Sequence, residues 1–356
     1  MRISVVIPVY NGGECFKECL ASIQLSLRMP DEVIVVSDGD TDGSSQMAEN
    51  FGAQVIRLPD SGGPARARNI GADAAQGDII FFVDADVTLH SDTISRVEQR
   101  FQQEQTVSAV IGSYDDTPGA ENFFSQYKNL FHHYTHQQAS EDASTFWGAC
   151  GAIRRSVFLA VGGFNDAYTK PCVEDIELGY RLKQAGYQIF LDKGIQVKHL
   201  KRWQFGSLLR AEIFYRALPW TELLLSNRQF KADLNLSYTN RLSVLLVFLL
   251  LISLMANFFT GLRFPALWGV ALVLALAILG LNWKVYRFFV ARKGLGFMLC
   301  VIPWHWLYFL YSGATFTYGL VRYYLGLWQL PVPPIPHGIS KVEVDSLSSK
   351  GSFYRH

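Results

Sequence analysis

No Asp or Glu occurs between Asp233 and Glu343, a gap of 109 residues in a chain of 356. Soluble surfaces normally interleave both signs of charge, so this gap constrains the fold more than any other feature. Three apolar runs lie inside it: Leu242–Thr260, Phe264–Trp283 and Leu295–Val321. At about 1.5 Å per residue, each is long enough for a hydrocarbon core of about 30 Å. The third carries Pro303, His305, Gly313 and Gly319 and is expected to be kinked or to lie partly in the interface. The remaining charge is uneven. Residues 1–197 hold 15 basic and 26 acidic residues, 198–241 hold 8 and 3, and 242–356 hold 9 and 2. An acidic N-terminal half repels phosphate and argues against a nucleic-acid-binding protein.

Basic residues flank the apolar runs unequally. Arg228, Lys231 and Arg241 precede the first, and Lys284, Arg287, Arg292 and Lys293 lie between the second and third. Only Arg263 separates the first from the second. The positive-inside rule then puts residues 1–241 in the cytoplasm of a multi-pass cell-membrane protein, and three full spans would put the tail after Arg322 outside. That tail, with Pro331, Pro333, Pro334 and Pro336, reads as loosely ordered. Met1–Pro8 is too short an apolar run for a signal peptide. The five cysteines form no C-x-x-C pair and their count is odd, as expected of reduced thiols. Phe205–Leu225 spaces Leu208, Leu209, Ile213 and Leu218 helically, with Arg210, Arg216 and Trp220 at the margin. It reads as a helix on a membrane surface, or as a core helix. The expected domains are 1–200 (catalytic), 201–240 (interfacial connection), 241–322 (about three spans) and 323–356 (tail).

Residues 1–110 alternate short β-branched runs with amphipathic segments. Strands are expected at 3–8, 33–37, 54–58, 78–83 and 107–111, and helices at 14–27, 44–51, 64–74 and 91–103, the last capped by Ser91. This alternation specifies an α/β domain with a mostly parallel sheet and helices on both faces. Ligands then bind beyond the carboxyl ends of the strands. Two nucleotide signatures are missing there, since no GxGxxG follows the first strand and no Walker A lysine is present.

Asp84-Ala85-Asp86 follows the strand Ile79–Val83. Carboxylates two apart on extended chain point the same way and repel unless a cation lies between them. A hard divalent ion that also holds a diphosphate solves this, and a plain turn is the alternative. Asp38 can accept an imide N–H from a uracil ring, or belong to a turn. From Asp38 to Glu49 the chain also matches the linear calcium-loop pattern D-x-D-x-D-G-x5-E. A strand precedes it, however, where a calcium loop needs a helix. Glu174, Asp175 and Glu177 open a helix, where acids offset the dipole and where one could serve as a base. Trp147 and Gly148 begin a stretch of small residues that would let a sugar lie against backbone. His199 follows a strand-like run, Ile195–Lys198, and is either structural or a ligand.

Six pieces occur in one order: Val5–Asn11, Ser37-Asp38-Gly39, Gly63–Gly71, Asp84-Ala85-Asp86, Gly162-Gly163-Phe164 and Glu174–Leu178. Together they resemble family 2 of the inverting glycosyltransferases, of GT-A fold, over about residues 1–200. The resemblance implies that Pro8, Val9 and Tyr10 line the nucleoside pocket and that Asp38 binds the base, with a lean to uridine. It places Arg68, Trp147, Gly148 and Glu174 at the substrate and Asp84 on the ribose or sugar. It also implies that Asp86 holds Mn2+ or Mg2+, with His199 as a further metal or phosphate contact, and that Asp175 is the catalytic base. The chain departs from the family pattern at Gly12, Ser37 and Asp40, and lacks the Gln-x-x-Arg-Trp of processive synthases, having His199 before Arg202-Trp203. The expected activity is transfer of a hexose from a nucleotide-diphospho-sugar to a membrane lipid or polyprenyl phosphate. A growing glycan chain is the alternative acceptor, and a catalytically silent nucleotide-sugar sensor or scaffold the alternative class.

Overall fold

A computed structural model describes residues 1–227, 237–260 and 264–327. They form two compact units, one ending at Gln204 and the other beginning at Phe205. Arg228, Lys231, Arg263 and the proline-rich tail lie outside the described residues.

The first unit is built on one eight-stranded sheet. Its strands are β1 (Ile3–Val9), β2 (Glu32–Asp38), β3 (Gln54–Leu58), β4 (Ile79–Val83), β5 (Val87–Leu89), β6 (Val107–Tyr114), β7 (Cys150–Arg154) and β8 (Gln188–His199). Their order is β3-β2-β1-β4-β7-β6-β8-β5. The first four pair in parallel, as the β-branched runs predict. β7 runs antiparallel to both β4 and β6, β8 is parallel to β6, and β5 antiparallel to β8. The sheet is thus mixed, and its architecture is the GT-A fold that the resemblance implied.

Helices α1 (Gly13–Gln24), α2 (Ser44–Phe51), α3 (Pro64–Ala74) and α4 (Thr93–Gln103) fall close to expectation. They are followed by α5 (Phe123–Gln138), α6 (Arg155–Ala160) and α7 (Glu174–Gln184). Strand alternation separates two layers. Ile3, Val5 and Ile7 share a core with Phe16 and Ile23 of α1 and with Ile94 and Val97 of α4. Val6 faces the other way, against Gly71 of α3, where any Cβ would lie 2.4 Å from Val6 Cγ1. Phe82 is on that second face, in an aromatic group with Phe146, Phe158 and Phe164. The Phe of Gly162-Gly163-Phe164 is therefore core. Its turn is fixed by Asn69, whose side chain bonds Phe164 N and O at 2.8 Å each. Arg181 adds bonds to the Val161 and Gly163 carbonyls. Ser91 does not cap α4: the helix begins after Asp92, and no side chain caps it.

The second unit is helical. α8 (Phe205–Arg210) passes through a π-helical stretch, Ala211–Ala217, into α9 (Leu218–Asn227). α10 (Tyr238–Phe259), α11 (Pro265–Leu281) and α12 (Trp283–Tyr324) follow. α10 and α11 lie antiparallel: Asn282 donates to Ser243 Oγ at 2.9 Å, and Ser253 donates to Leu267 O at 3.0 Å. Only α10 is by itself long and apolar enough to cross a membrane, with a mean hydropathy of 2.6 in its most apolar window, and this holds among the described residues. α11 and α12 meet that standard only as a pair bent by 64°. The third apolar run begins after a break at Gly294 (φ 82°, ψ 173°), where α12 changes direction.

Candidate active site

The mixed sheet decides which loops meet. Because β7 runs against β4, Cys150 pairs with Val83, and the preceding Trp147-Gly148 arrives beside Asp84. β8 ends at His199, which pairs with Val87 of β5 and so sits next to Asp86. Leu200 N donates to Asp86 O at 2.8 Å and closes that turn.

Arg68, 4% exposed, projects from α3 and joins two acidic motifs. It donates to Asp84 Oδ1 at 2.7 Å and to Glu174 Oε1 at 2.9 Å. Burial opposes its charge, but Asp84 and Glu174 outweigh burial and raise its pKa, with Asp175 adding to them. Gly148 has no side chain for a reason of space, since a Cβ there would come within 2.8 Å of the guanidinium carbon. The Gly148 N–H in turn donates to Asp175 Oδ2 at 3.1 Å. Asp175 Oδ1 accepts its neighbour's N–H, from Ile176, at 2.8 Å. Asp84, Arg68, Glu174, Gly148 and Asp175 are thus one contiguous set. Glu174, expected at the substrate, is buried with both oxygens bonded inside the protein, the second to Cys172 N at 2.8 Å. It positions Arg68.

Asp86 Oδ2 lies 3.5 Å from His199 Nε2 and 3.9 Å from Lys201 Nζ. Burial pushes the Asp86 carboxyl up, but His199 and then Lys201 overcome this and hold it at about 2. It is therefore ionised near neutrality, as a metal ligand must be. His199 Nδ1 donates to Asn129 Oδ1 at 2.7 Å, which leaves Nε2 facing Asp86. The Tyr114 ring stacks on the imidazole at 4.4 Å with 9° between planes. Among the described residues no group of three or more His, Cys, Asp or Glu could hold a metal. One carboxylate and one imidazole nevertheless suit a hard cation that takes its other oxygens from a diphosphate and water. Asn129 and Tyr114 were not foreseen. Asn129 sits mid-helix in α5, with no motif to mark it.

At the β1 edge Val9 is buried, Pro8 is half-buried and Tyr10 is 59% exposed. Asp38 is 4% exposed and accepts from Gly62 N, Gly63 N and Ser61 Oγ at 2.9, 2.9 and 2.8 Å. In this structure it anchors the Ser61–Gly63 turn. The calcium-like carboxylates are also engaged. Asp42 accepts from Ser44 N and Oγ and from Gly13 N, Asp40 accepts from Ser45 N, and Glu49 pairs with Arg57 at 2.7 Å. Asp40 and Asp42 brace the start of α2, and Glu49 ties its last turn to β3. Trp147 packs against Tyr114, His132 and His136 with ring centroids 4.9, 4.9 and 5.3 Å away.

The model of glycosyl transferase family 2 matches residues 4–162. The model of the N-terminal domain of galactosyltransferase matches residues 128–203. Glycosyltransferase GlyG of Streptococcus pneumoniae is 35% identical over 130 residues, covering 34% of this chain and 42% of that protein. The pre-mycofactocin glycosyltransferase of Mycobacterium tuberculosis is 29% identical over 224 residues, covering 60% of this chain and 46% of its own length. The chain thus spans less than half of either relative. A mannosyltransferase of Pyrobaculum calidifontis, solved with GDP-Man and Mn2+, superimposes with a TM-score of 0.48 at 19% identity, covering 92% of this chain and 87% of that one.

Proposed function

Residues 4–162 belong to glycosyl transferase family 2, and from that premise we propose that the chain moves a hexose from a nucleotide-diphospho-sugar to a membrane lipid or polyprenyl phosphate, with inversion at the anomeric carbon. The observation that carries the reading is the Arg68 bridge from Asp84 to Glu174, at 2.7 and 2.9 Å. It ties the Asp-Ala-Asp turn to the start of α7, and so sets Asp175 beside the donor-side carboxylates.

Asp86 and His199 would hold Mn2+ or Mg2+, which when bound supplies positive charge to the leaving diphosphate. Arg68 keeps Asp84 oriented from below and is itself too buried to reach a ligand freely. For a hydroxyl acceptor Asp175 takes the proton as the oxygen attacks opposite the departing phosphate; a phosphate acceptor attacks through an oxygen that is already ionised. The Gly148 N–H holds the Asp175 carboxylate in one rotamer for that task. One displacement inverts the configuration. Tyr10 and Pro8, at the carboxyl end of β1, are assigned to the nucleoside.

Attachment to a membrane is supported by the helical unit; the cytoplasmic side rests on the basic flanks of the apolar runs, and the lipid acceptor on the attachment. Leu245, Ile252, Phe258 and Phe259 of α10 and Leu272 and Val273 of α11 point outward, 55–76% exposed. Apolar exposure on that scale suits contact with lipid better than with water. Detergent-solubilised chain should gain thermal stability from UDP- or GDP-sugars in the presence of Mn2+ and hydrolyse the preferred one slowly. A silent scaffold would show no hydrolysis, and absence of both effects across the nucleotide sugars would end the transfer reading. Transfer to a polymer but not to a lipid phosphate would move the acceptor to the glycan-chain alternative.

A further inference from the structure

Lys201 stands beside the Asp86–His199 pair and has no part in the transfer reading above. It lies on a short strap, residues 200–203, that is fastened at both ends. Leu200 N–H donates to Asp86 O at 2.8 Å, and the carbonyl just before it, on His199, accepts from Gly119 N–H at 2.9 Å. At the far end Trp203 N–H donates to Ser125 Oγ at 2.7 Å, and Asn122 Nδ2 donates to Trp203 O at 2.6 Å. Ser125 Oγ in turn donates to Asn122 Oδ1 at 2.8 Å, which joins the two anchors at the start of α5. The backbone of Lys201 is thus fixed from both sides.

The side chain is placed as well. Nζ lies over the Trp203 ring, 4.7 Å from its centroid, a cation–π contact. It is 3.9 Å from Asp86 Oδ2, which is too long for a hydrogen bond. The ammonium, 47% exposed at the side chain, therefore faces the carboxylate without using its N–H donors on it. The other cation of the site, Arg68, is 5% exposed and bound to Asp84 and Glu174. The domain around them is acidic, with 26 acidic against 15 basic residues over 1–197. A diphosphate entering there meets a repulsive field, which an exposed ammonium at the point of binding offsets.

We propose that Lys201 binds the diphosphate of the nucleotide directly, and so gives the site a hold on nucleoside diphosphates that needs no metal. An ammonium is a compact charge with three donors and suits phosphate oxygens arriving from several directions. An anion lodged at Asp86 and His199 is beside Nζ, because Nζ itself lies against Asp86. The identity of the ligand rests on the transfer reading, and the contact with Lys201 is added to it. A lysine that only balanced the charge of Asp86 would leave metal-free nucleotide binding unaffected.

The test is isothermal titration of the full chain in a neutral detergent with UDP, GDP and dTDP, each in EDTA and in Mn2+. The best of the three should bind in EDTA, more weakly than with Mn2+. Lys201→Gln should weaken the binding in EDTA about tenfold or more, the loss of one charged hydrogen bond, and Lys201→Arg should retain most of it. Lys201 is about half exposed and its strap is held by backbone bonds, so Lys201→Gln should melt with the parent. The matching nucleoside, without phosphates, should bind the parent and Lys201→Gln alike, and an equal loss for the nucleoside would overturn the phosphate contact. Binding in Mn2+ only, or equal affinity of Lys201→Gln and the parent in EDTA, would overturn the proposal and leave the transfer reading standing. Lysine-dependent binding by a chain that hydrolyses no nucleotide sugar would keep the contact and remove the transfer reading. No binding of any of the three nucleotides in either condition would remove both.

Discussion

His199 Nε2 lies 3.5 Å from Asp86 Oδ2, although 113 residues separate them, because β8 ends against β5. Asn129 Oδ1, accepting from Nδ1 at 2.7 Å, fixes which imidazole nitrogen faces the carboxylate. If this pair holds a divalent cation, Asp86→Ala should abolish Mn2+-dependent binding of the preferred nucleotide sugar. Asn129→Leu, which removes only the orienting partner, should weaken it about 10–100-fold. Isothermal titration with and without chelator reads both. Undiminished Mn2+-dependent affinity in Asp86→Ala would remove the metal assignment.

Asp175 is held by the Gly148 and Ile176 N–H groups. Asp175→Asn preserves the shape and can accept one of those two bonds, but cannot take a proton. Transfer to a hydroxyl acceptor should fall by about 10²–10⁴-fold, with donor affinity unchanged within about twofold. Single-turnover rates together with titration separate the two, and near-normal turnover would exclude Asp175 as the base.

Arg68 and Glu174 are both about 5% exposed at the side chain. Arg68→Met therefore strands a buried carboxylate, and a loss of about 3–5 kcal/mol is expected in the first unit. Arg68→Met combined with Glu174→Gln removes the stranded charge and should recover a large part of it. Thermal melting followed by circular dichroism distinguishes the single from the double variant. Equal melting of the single variant and the parent would show that the bridge is not structural.

Much of this was readable in the chain. The β-branched runs and short amphipathic segments gave β1 to β4 and α1 to α4 within a few residues, because local period and turn chemistry specify them. The Asp-Ala-Asp turn and the acidic start of α7 were legible as carboxylates but not as neighbours. Their meeting depends on β7 running antiparallel to β4, and no local pattern encodes strand direction. Glu174 illustrates the limit: an acid at a helix start looks the same whether it faces ligand or a buried arginine from α3. Asp38 does likewise, since its partners at 61–63 come from another loop. In the helical unit hydropathy located the apolar runs, while the bend of 64° between α11 and α12 left no comparable trace.

Gly63 makes the Asp38 anchor possible. Its φ of +90° disfavours any side chain, and a Cβ would lie 2.5 Å from the Thr169 carbonyl. Gly63→Ala must shift the backbone whose N–H bonds Asp38, and should cost at least about 1–3 kcal/mol. Donor binding should weaken along with it if Asp38 and the 61–63 turn border the base. A melting midpoint within a degree of the parent would contradict the steric argument.

His90 and Asp115 supply the pH dependence. They pair at 3.0 Å, with His90 44% exposed and Asp115 5% exposed at the side chain. The hydrogen bond to Asp115 raises the His90 pKa above 6.5. Burial pushes the Asp115 carboxyl up, but the bonds from His90 and Thr117 outweigh it and bring it below 3.8. For His90 the folded value is the higher, so its stabilisation is complete below about pH 6.5 and fades as pH rises through the folded value. For Asp115 the folded value is the lower, so its stabilisation is complete above about pH 3.8 and fades as pH falls through the folded value. The pair therefore contributes most between about pH 4 and 6.5, by less than about 1 kcal/mol because His90 is largely solvated. His90→Gln should flatten the upper limb of the melting midpoint against pH while leaving the acid limb set by the remaining carboxylates. An upper limb of the same slope in the variant would assign that pH dependence to other groups.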